Sequence, residues 1–142
     1  TNHPHVFIAN LNHPLTKLRK IQPEVLKDFD FISREKGSGT RAHMETFIND
    51  HDIQPNIIME MSSNESIKQA VIAELGISFV SQHTIASELK HGQLKVLDVI
   101  GTPINRKWHV VTLNPMAINR SIDLLKDFIL NQSEIIISKL LN

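Results

Sequence analysis

Cysteine is absent from the 142 residues, which excludes disulfides and thiolate metal sites and fits a reducing, cytoplasmic compartment. A surplus of basic charge is also absent, since 15 Lys and Arg balance 15 Asp and Glu. No positive field is therefore present to hold nucleic acid, and none of the spacings of a DNA-reading helix or zinc finger occurs. No apolar run approaches the ~18–20 residues of a membrane span. The opening TNHPHVFIAN lacks the charged and apolar blocks of a signal peptide. It also lacks an initiator Met and enters an apolar strand almost at once, so the chain is expected to be a fragment of a longer protein.

The usual catalytic signatures are missing too. The 8 histidines are scattered apart from the pair His3 and His5, and no H-E-x-x-H occurs, so no metal site is expected. There is no G-x-S-x-G nucleophile elbow. Glu60, Glu65, Glu74 and Glu88 are each accounted for by capping or solvation. No acid/base constellation emerges, so neither catalysis nor a cofactor is expected. Trp108, the only Trp in a chain without Tyr, is expected to pack at the start of a strand rather than to stack on a ligand.

What is present is an ordinary globular composition, 41% hydrophobic and 21% charged, long enough to bury a core. Its most informative stretch is EKGSGTR, residues 35–41, which follows a short apolar strand and opens an amphipathic helix carrying Met44, Phe47, Ile48 and His51 on one face. A Gly-Ser-Gly-Thr turn at such a junction presents backbone N–H groups, two hydroxyls and the positive end of a helix dipole to one point. That arrangement suits a carboxylate, phosphate or sulfate. It is not a Walker loop, because no Lys follows the glycines, and it lacks the third glycine of a dinucleotide fingerprint.

The element order supports a wider site. Strands are expected at Val6–Ala9, Asp30–Ser33, Ile57–Met61, Ile77–Val80, Gln93–Ile100 and Lys107–Leu113. Helical patterns cover Pro23–Asp28, Thr40–His51, a segment after Ser62, and Ile118–Leu130, which Glu134–Leu141 extends or follows, with Ser81–Leu89 helical or irregular. Ser62 and Glu65 stand in the S-x-x-E relation of a capping box, and Gly76 in the C′ role that ends the helix. Strands alternating with helices of about ten residues argue for an α/β fold with a mostly parallel sheet and helices on both faces. In such a sheet the junctions Ser38/Thr40, Ser62/Ser63 and Ser81/Thr84 share the carboxyl edge, where ligands bind. The plainer account is that each serine caps its own helix. Arg34 and Arg41 are placed to meet an anion, or else to pair with Glu35 or Glu45. The stripe Ile118, Ile122, Leu125 and Ile129 reads as core, or as an interface.

One ordered set of strings carries a family resemblance: His13-Pro14-Leu15, FISREKGSGTR (Phe31–Arg41), MEMSSNESIKQAV (Met59–Val71), ELGISFVS (Glu74–Ser81), ELKHGQL (Glu88–Leu94) and Arg106-x-Trp108. The chain resembles the effector-binding domain of LysR-type transcriptional regulators, most of all the branch that controls carbon-fixation operons. The resemblance implies a two-lobed fold like the type 2 periplasmic binding proteins, with a small anionic effector in a cleft. Residues of about 14–101 would form the second lobe, and 1–13 with 102–142 the remainder of a truncated first lobe. It implies effector contacts from Ser38, Gly39, Thr40, Ser62 and Ser63, and from Ser81; Arg41 joins them on its position in the loop. It further implies a homo-oligomer, dimer or tetramer, whose DNA contacts come from a separate N-terminal winged helix-turn-helix.

Two other readings share the residues. A solute-binding fragment of an uptake system has the same fold but no reason for the E-L-x-x-G-x-L string. A phosphate-handling enzyme lobe would need a Lys or carboxylate poised at the three junctions. Truncation predicts that the strands at Val6–Ala9 and His109–Leu113 lack neighbours and that the chain self-associates.

Overall fold

A computed structural model describes residues 2–111 and 120–140 of the chain. It divides into a larger unit, Pro4–Asn105, and a smaller one made of Thr1–His3 and Arg106–Asn142. The strands are β1 (Asn2–Asn10), β2 (Asp30–Arg34), β3 (Asn56–Met61), β4 (Ile77–Ser81), β5 (Leu94–Val96) and β6 (Ile104–Lys107). The helices are α1 (Gly39–Asp50), α2 (Asn64–Ile72), α3 (Ala86–Lys90) and α4 (Arg120–Leu140). Short 3-10 turns occupy Pro14–Lys17, Pro23–Asp28 and Gln82–Ile85.

The sheet runs β3-β2-β4-β1-β5, with β6 pairing β1 off this path. β3, β2 and β4 are parallel, whereas β1 is antiparallel to both β4 and β5. The α/β fold is as expected, and the parallel order holds for three strands in an otherwise mixed sheet. The reversal of β1 has a cause in the chain. Parallel neighbours need a crossover of a dozen or more residues, usually a helix, to carry the chain back across the sheet. Between β1 and β2 lie only two 3-10 turns, so β2 starts from the edge where β1 ends. The links β2-α1-β3 and β3-α2-β4 step across the sheet in opposite directions. Right-handed crossovers then put α1 and α2 on opposite faces.

Each face has its own core. Phe7, Ala9, Phe31, Ile77 and Phe79 point to the α1 side with Met44, Phe47 and Ile48. Val6, Ile8, Ile32 and Val80 point to the other, with Ile67, Ala70 and Val71 of α2 and Ile85. The unbroken apolar runs of β1 and β4 are what a strand covered on both faces requires. Phe7 lies 4.9 Å from Phe79, 5.3 Å from Phe47 and 6.1 Å from Phe31, an aromatic cluster that fixes α1 against the sheet.

Several expectations need correction. The strand at Val6–Ala9 is not short of neighbours, because β4 and β5 flank β1. α2 begins one residue later than the expected capping box: Ser63 is its N-cap, accepting from the Ser66 N–H at 3.4 Å. Glu65 turns instead to Lys68 at 2.7 Å. Gly76 does not end the helix. The Glu74 N–H bonds the Val71 carbonyl and the Leu75 N–H the Ala70 carbonyl, a Schellman closure with Glu74 (φ 63°) in the left-handed position. Gly76 is needed for a different reason, since a Cβ there would stand 2.5 Å from the Asp30 carbonyl oxygen. β5 is shorter than Gln93–Ile100 because the chain leaves the ladder to bond Ile21 through the carbonyl of Asp98 and the N–H of Ile100.

The last strand also moves. β6 precedes the expected Lys107–Leu113, and residues 108–111 form no regular element, while 112–113 lie outside the described residues. Trp108 is 58% exposed and touches His3 at 4.7 Å between ring centres, so it does not pack in a core. α4 runs unbroken over Arg120–Leu140, so the segment from Glu134 extends the preceding helix rather than following it. Its residues Ile122, Leu125 and Ile129 are exposed rather than core, and Ile118 lies outside the described residues. A helical period marks a face that needs cover without supplying the cover.

Candidate functional site

The carboxyl ends of β3, β2 and β4 are adjacent, so the loops that follow Met61, Arg34 and Ser81 lie side by side along one edge of the sheet. The reversed β1 brings a fourth group there: His5 stands opposite Ser81 in the ladder. Alternation along β1 and β4 aims both side chains to the α1 face, in line with Phe7 and Phe79.

α1 opens over this edge. Gly37 at φ 92° turns the chain, and the Ser38 hydroxyl accepts from the Arg41 N–H at 3.2 Å. That cap uses one of the donors at the helix start. The N–H groups of Gly39 and Thr40 have no partner among the described residues. Space around Gly39 is open, with nothing within 4 Å of where a Cβ would sit. Lys36 is exposed in the same loop. The Thr40 Oγ1 is 3.5 Å from His5 Nε2. The buried His5 ring stacks on Phe79 at 5.6 Å, and His43, one turn along α1, meets it edge-on at 5.1 Å.

Ser81 completes the group. It is only 5% exposed, and its hydroxyl has no hydrogen-bond partner among the described residues. It caps the 3-10 turn after β4 by position, yet its side chain makes no capping bond. An unpaired buried hydroxyl costs about 1–3 kcal/mol.

The two arginines take structural partners. Arg41 is 7% exposed and points inward, donating from Nη1 to Ser33 Oγ at 2.7 Å and the Arg34 carbonyl at 3.2 Å. Its Nε bonds Glu45 at 2.7 Å, and Glu60 lies 3.5 Å from Nη1. Arg34 grips Glu35 through two bonds of 2.8 and 2.9 Å and reaches Asn64, the first residue of α2, at 2.8 Å. The guanidinium holds the Glu35 carboxyl below the usual carboxylate range, chiefly through those bonds. Arg34 thereby ties the first loop to the second. Ser62 and Ser63 are exposed there, with Ser63 spent on its own cap.

The structure thus brings Ser38, Gly39, Thr40 and Ser81 to one place, sets Ser62 and Ser63 beside it across Arg34, and turns Arg41 away into the fold. His5 and His43 were not singled out from sequence. The available signal was parity: His5 shares a strand face with Phe7, and His43 lies three residues past Thr40 on a helix. Among the described residues no group of three or more His, Asp or Glu is arranged to hold a metal. None of their helices is long and apolar enough to cross a membrane.

A two-faced α/β unit with unspent backbone donors at the carboxyl edge of its parallel strands defines a small-ligand binding module. Residues 1–134 match the LysR substrate binding domain, and the chain belongs to that family. It is 46% identical over 132 residues to the HTH-type transcriptional regulator CbbR of Sinorhizobium medicae, covering 92% of this chain and 42% of that protein. It is 46% identical over 110 residues to the RuBisCO operon transcriptional regulator of Acidithiobacillus ferrooxidans, covering 78% of this chain and 36% of that protein. The regulatory domain of Synechocystis PCC6803 CcmR, solved in complex with 2-PG, superposes with a TM-score of 0.84 at 38% identity, covering 89% of this chain and 61% of that one. The chain therefore spans about two fifths of the length of the curated regulators it matches, and the expected kinship with carbon-fixation regulators stands.

Proposed function

We propose that this chain is the effector-sensing part of a LysR-type transcriptional regulator and that it holds a small anionic metabolite at the start of α1. The observation that carries the reading is the pair of unspent N–H groups on Gly39 and Thr40 beside the buried, unpaired Ser81 hydroxyl. A helix N-terminus attracts negative charge, and Ser81 supplies a second polar group whose burial is otherwise unrewarded. The Thr40 hydroxyl donates to the ligand, Ser38 holds the loop, and Arg41 braces it from beneath. Ser62 and Ser63 form the rim. A 2-PG complex of the CcmR domain supports an anionic effector, and the named regulators among the relatives support a role in transcription. The uptake-protein reading has no such support.

In this reading the larger unit contains the second lobe, drawn from sequence at about 14–101, and the rest belongs to the first. The whole protein is cytoplasmic, is not an enzyme, assembles as a homo-oligomer and contacts DNA through a separate domain. An effector that prefers one arrangement of that assembly shifts it by its differential affinity. Calorimetric titration of the full-length protein with 2-PG tests the site. Thr40→Val removes one hydrogen bond to a charged group and is expected to weaken binding about tenfold while the melting temperature stays within about two degrees. Equal affinity of the two proteins contradicts the reading.

A further inference from the structure

Two loops meet at the site, and one side chain holds both. The Glu35 N–H, in the loop after β2, donates to the Met61 carbonyl at the end of β3, 3.1 Å away. Arg34 adds three bonds to that one. Its Nε and Nη2 donate to the Glu35 carboxylate at 2.8 and 2.9 Å, and its Nη1 donates to Asn64 Oδ1 at 2.8 Å. Glu35 leads into α1 and Asn64 opens α2, so each loop gives an acceptor to the same guanidinium. That group is planar and presents its donors as a fixed fork, which holds the two acceptors at a set separation and angle. Its charge is already matched by Glu35 within the protein.

The Glu35 carbonyl in turn accepts from the Ser38 N–H at 3.2 Å, and Ser38 caps α1. A continuous chain of bonds thus runs from the Asn64 side chain through Arg34 and Glu35 to the head of α1, where the Gly39 and Thr40 amides lie. On the second loop Ser63 is spent as a cap, which leaves the exposed Ser62 to face a ligand. Arg34 is paired with Met61 across β2 and β3, and neighbouring strands stand about 4.8 Å apart. We infer that Arg34 is a positioning residue: by fixing the second loop against the first, it selects an anion long enough to reach Ser62 over a bare oxyanion. This rests on the reading that Gly39 and Thr40 receive the anionic end. A bare oxyanion seated there is held by the first loop alone, whereas a ligand a few bonds longer spans the gap and depends on where the second loop stands.

The test compares 2-PG with inorganic phosphate on the full-length protein, the first by calorimetric titration and the second by its competition against the first. The wild type is expected to prefer 2-PG. Asn64→Ala removes one acceptor and releases the second loop, and is expected to weaken 2-PG about tenfold and phosphate less than about twofold. Arg34→Lys keeps the charge but replaces the fork with a point donor, and is expected to do the same. Asn64→Asp returns an acceptor to Nη1, so the ratio of the two affinities recovers, while the added negative charge shifts both together. No preference in the wild type, an unaltered ratio in Arg34→Lys or Asn64→Ala, or no recovery in Asn64→Asp overturns the role of Arg34 and leaves the site standing. Equal losses for the two ligands do the same, since they mark a side chain that only supports the head of α1. Absence of 2-PG binding, or indifference of both ligands to Thr40→Val, defeats the site reading and the inference together. If Arg34→Lys fails to fold, the two Asn64 variants still decide.

Discussion

Replacing Ser81 by Ala deletes a hydroxyl that is buried to 5% exposure and has no hydrogen-bond partner among the described residues. In most proteins loss of a buried serine hydroxyl destabilises, because a hydrogen bond goes with it. Here the folded state loses no bond and sheds the desolvation cost of an unpaired polar group, about 1–3 kcal/mol. The atom removed is smaller than a methyl group, so the void it leaves costs less than about 1 kcal/mol. The 3-10 turn after β4 is not weakened, since Ser81 makes no side-chain capping bond and its carbonyl still accepts from Thr84 Oγ1 at 2.7 Å. The net expectation is a gain of about 1 kcal/mol, or roughly three to five degrees in melting temperature for a chain of this size. In urea the midpoint rises with the slope unchanged. In the same variant 2-PG binding weakens, so stability and affinity move in opposite directions. Circular dichroism melts with and without 2-PG read both. A variant less stable than wild type by 1 kcal/mol or more would show that the hydroxyl holds a structural bond and is not reserved for a ligand.

Lys68 and Glu88 join α2 to α3 at 2.8 Å with side-chain exposures of 11% and 10%. Lys68→Met strands the carboxylate and is expected to cost about 3–5 kcal/mol in urea denaturation, most of it recovered by adding Glu88→Leu; a cost below about 1 kcal/mol refutes a buried pair. Burial draws the Lys68 ammonium pKa down, but its bonds to Glu65 and Glu88 outweigh that and hold it above the ordinary value. Its stabilisation is thus complete below the ordinary lysine range and lost as pH rises through the higher folded value, so the wild type should lose more stability than Lys68→Met above about pH 10. At the end of α2, Glu74→Gly relieves a left-handed residue and should be neutral or stabilising, whereas Gly76→Ala forces a Cβ against the Asp30 carbonyl and should cost about 2 kcal/mol or more. The reverse order would restore Gly76 as the helix cap.

Most of the larger unit was legible because its signals are local. The apolar runs at Val6–Ala9 and Ile77–Val80, the period of Met44, Phe47 and Ile48, and the glycine-serine turn each constrain a few neighbouring residues and need no partner. The errors occur where two signals compete within one turn. Ser62 and Ser63 are both good caps, and the choice fell to the one whose hydroxyl reaches Ser66. Glu74 accepted a left-handed conformation because Gly76 was already required against β2. The reversed β1 was readable in principle, since the one helical pattern between it and β2, Pro23–Asp28, is too short for a parallel crossover. At the site, sequence named the hydroxyls by their place after strands but gave no means of telling a spent hydroxyl from an unspent one. Ser38 and Ser63 cap helices, the Ser81 hydroxyl bonds nothing among the described residues, and Arg41, expected as an anion partner or an ion pair, is committed to Ser33 and Glu45. His5 entered only through the antiparallel pairing, which is a property of the sheet.

The central claim is that the two unspent amides at the head of α1 receive an anion. Amide chemical shifts followed while inorganic phosphate and then 2-PG are added report on those groups directly. The largest saturable changes are expected at Gly39 and Thr40, with Ser81 next among the residues of β4. Saturable changes confined to other segments, with Gly39 and Thr40 unmoved, would contradict the account.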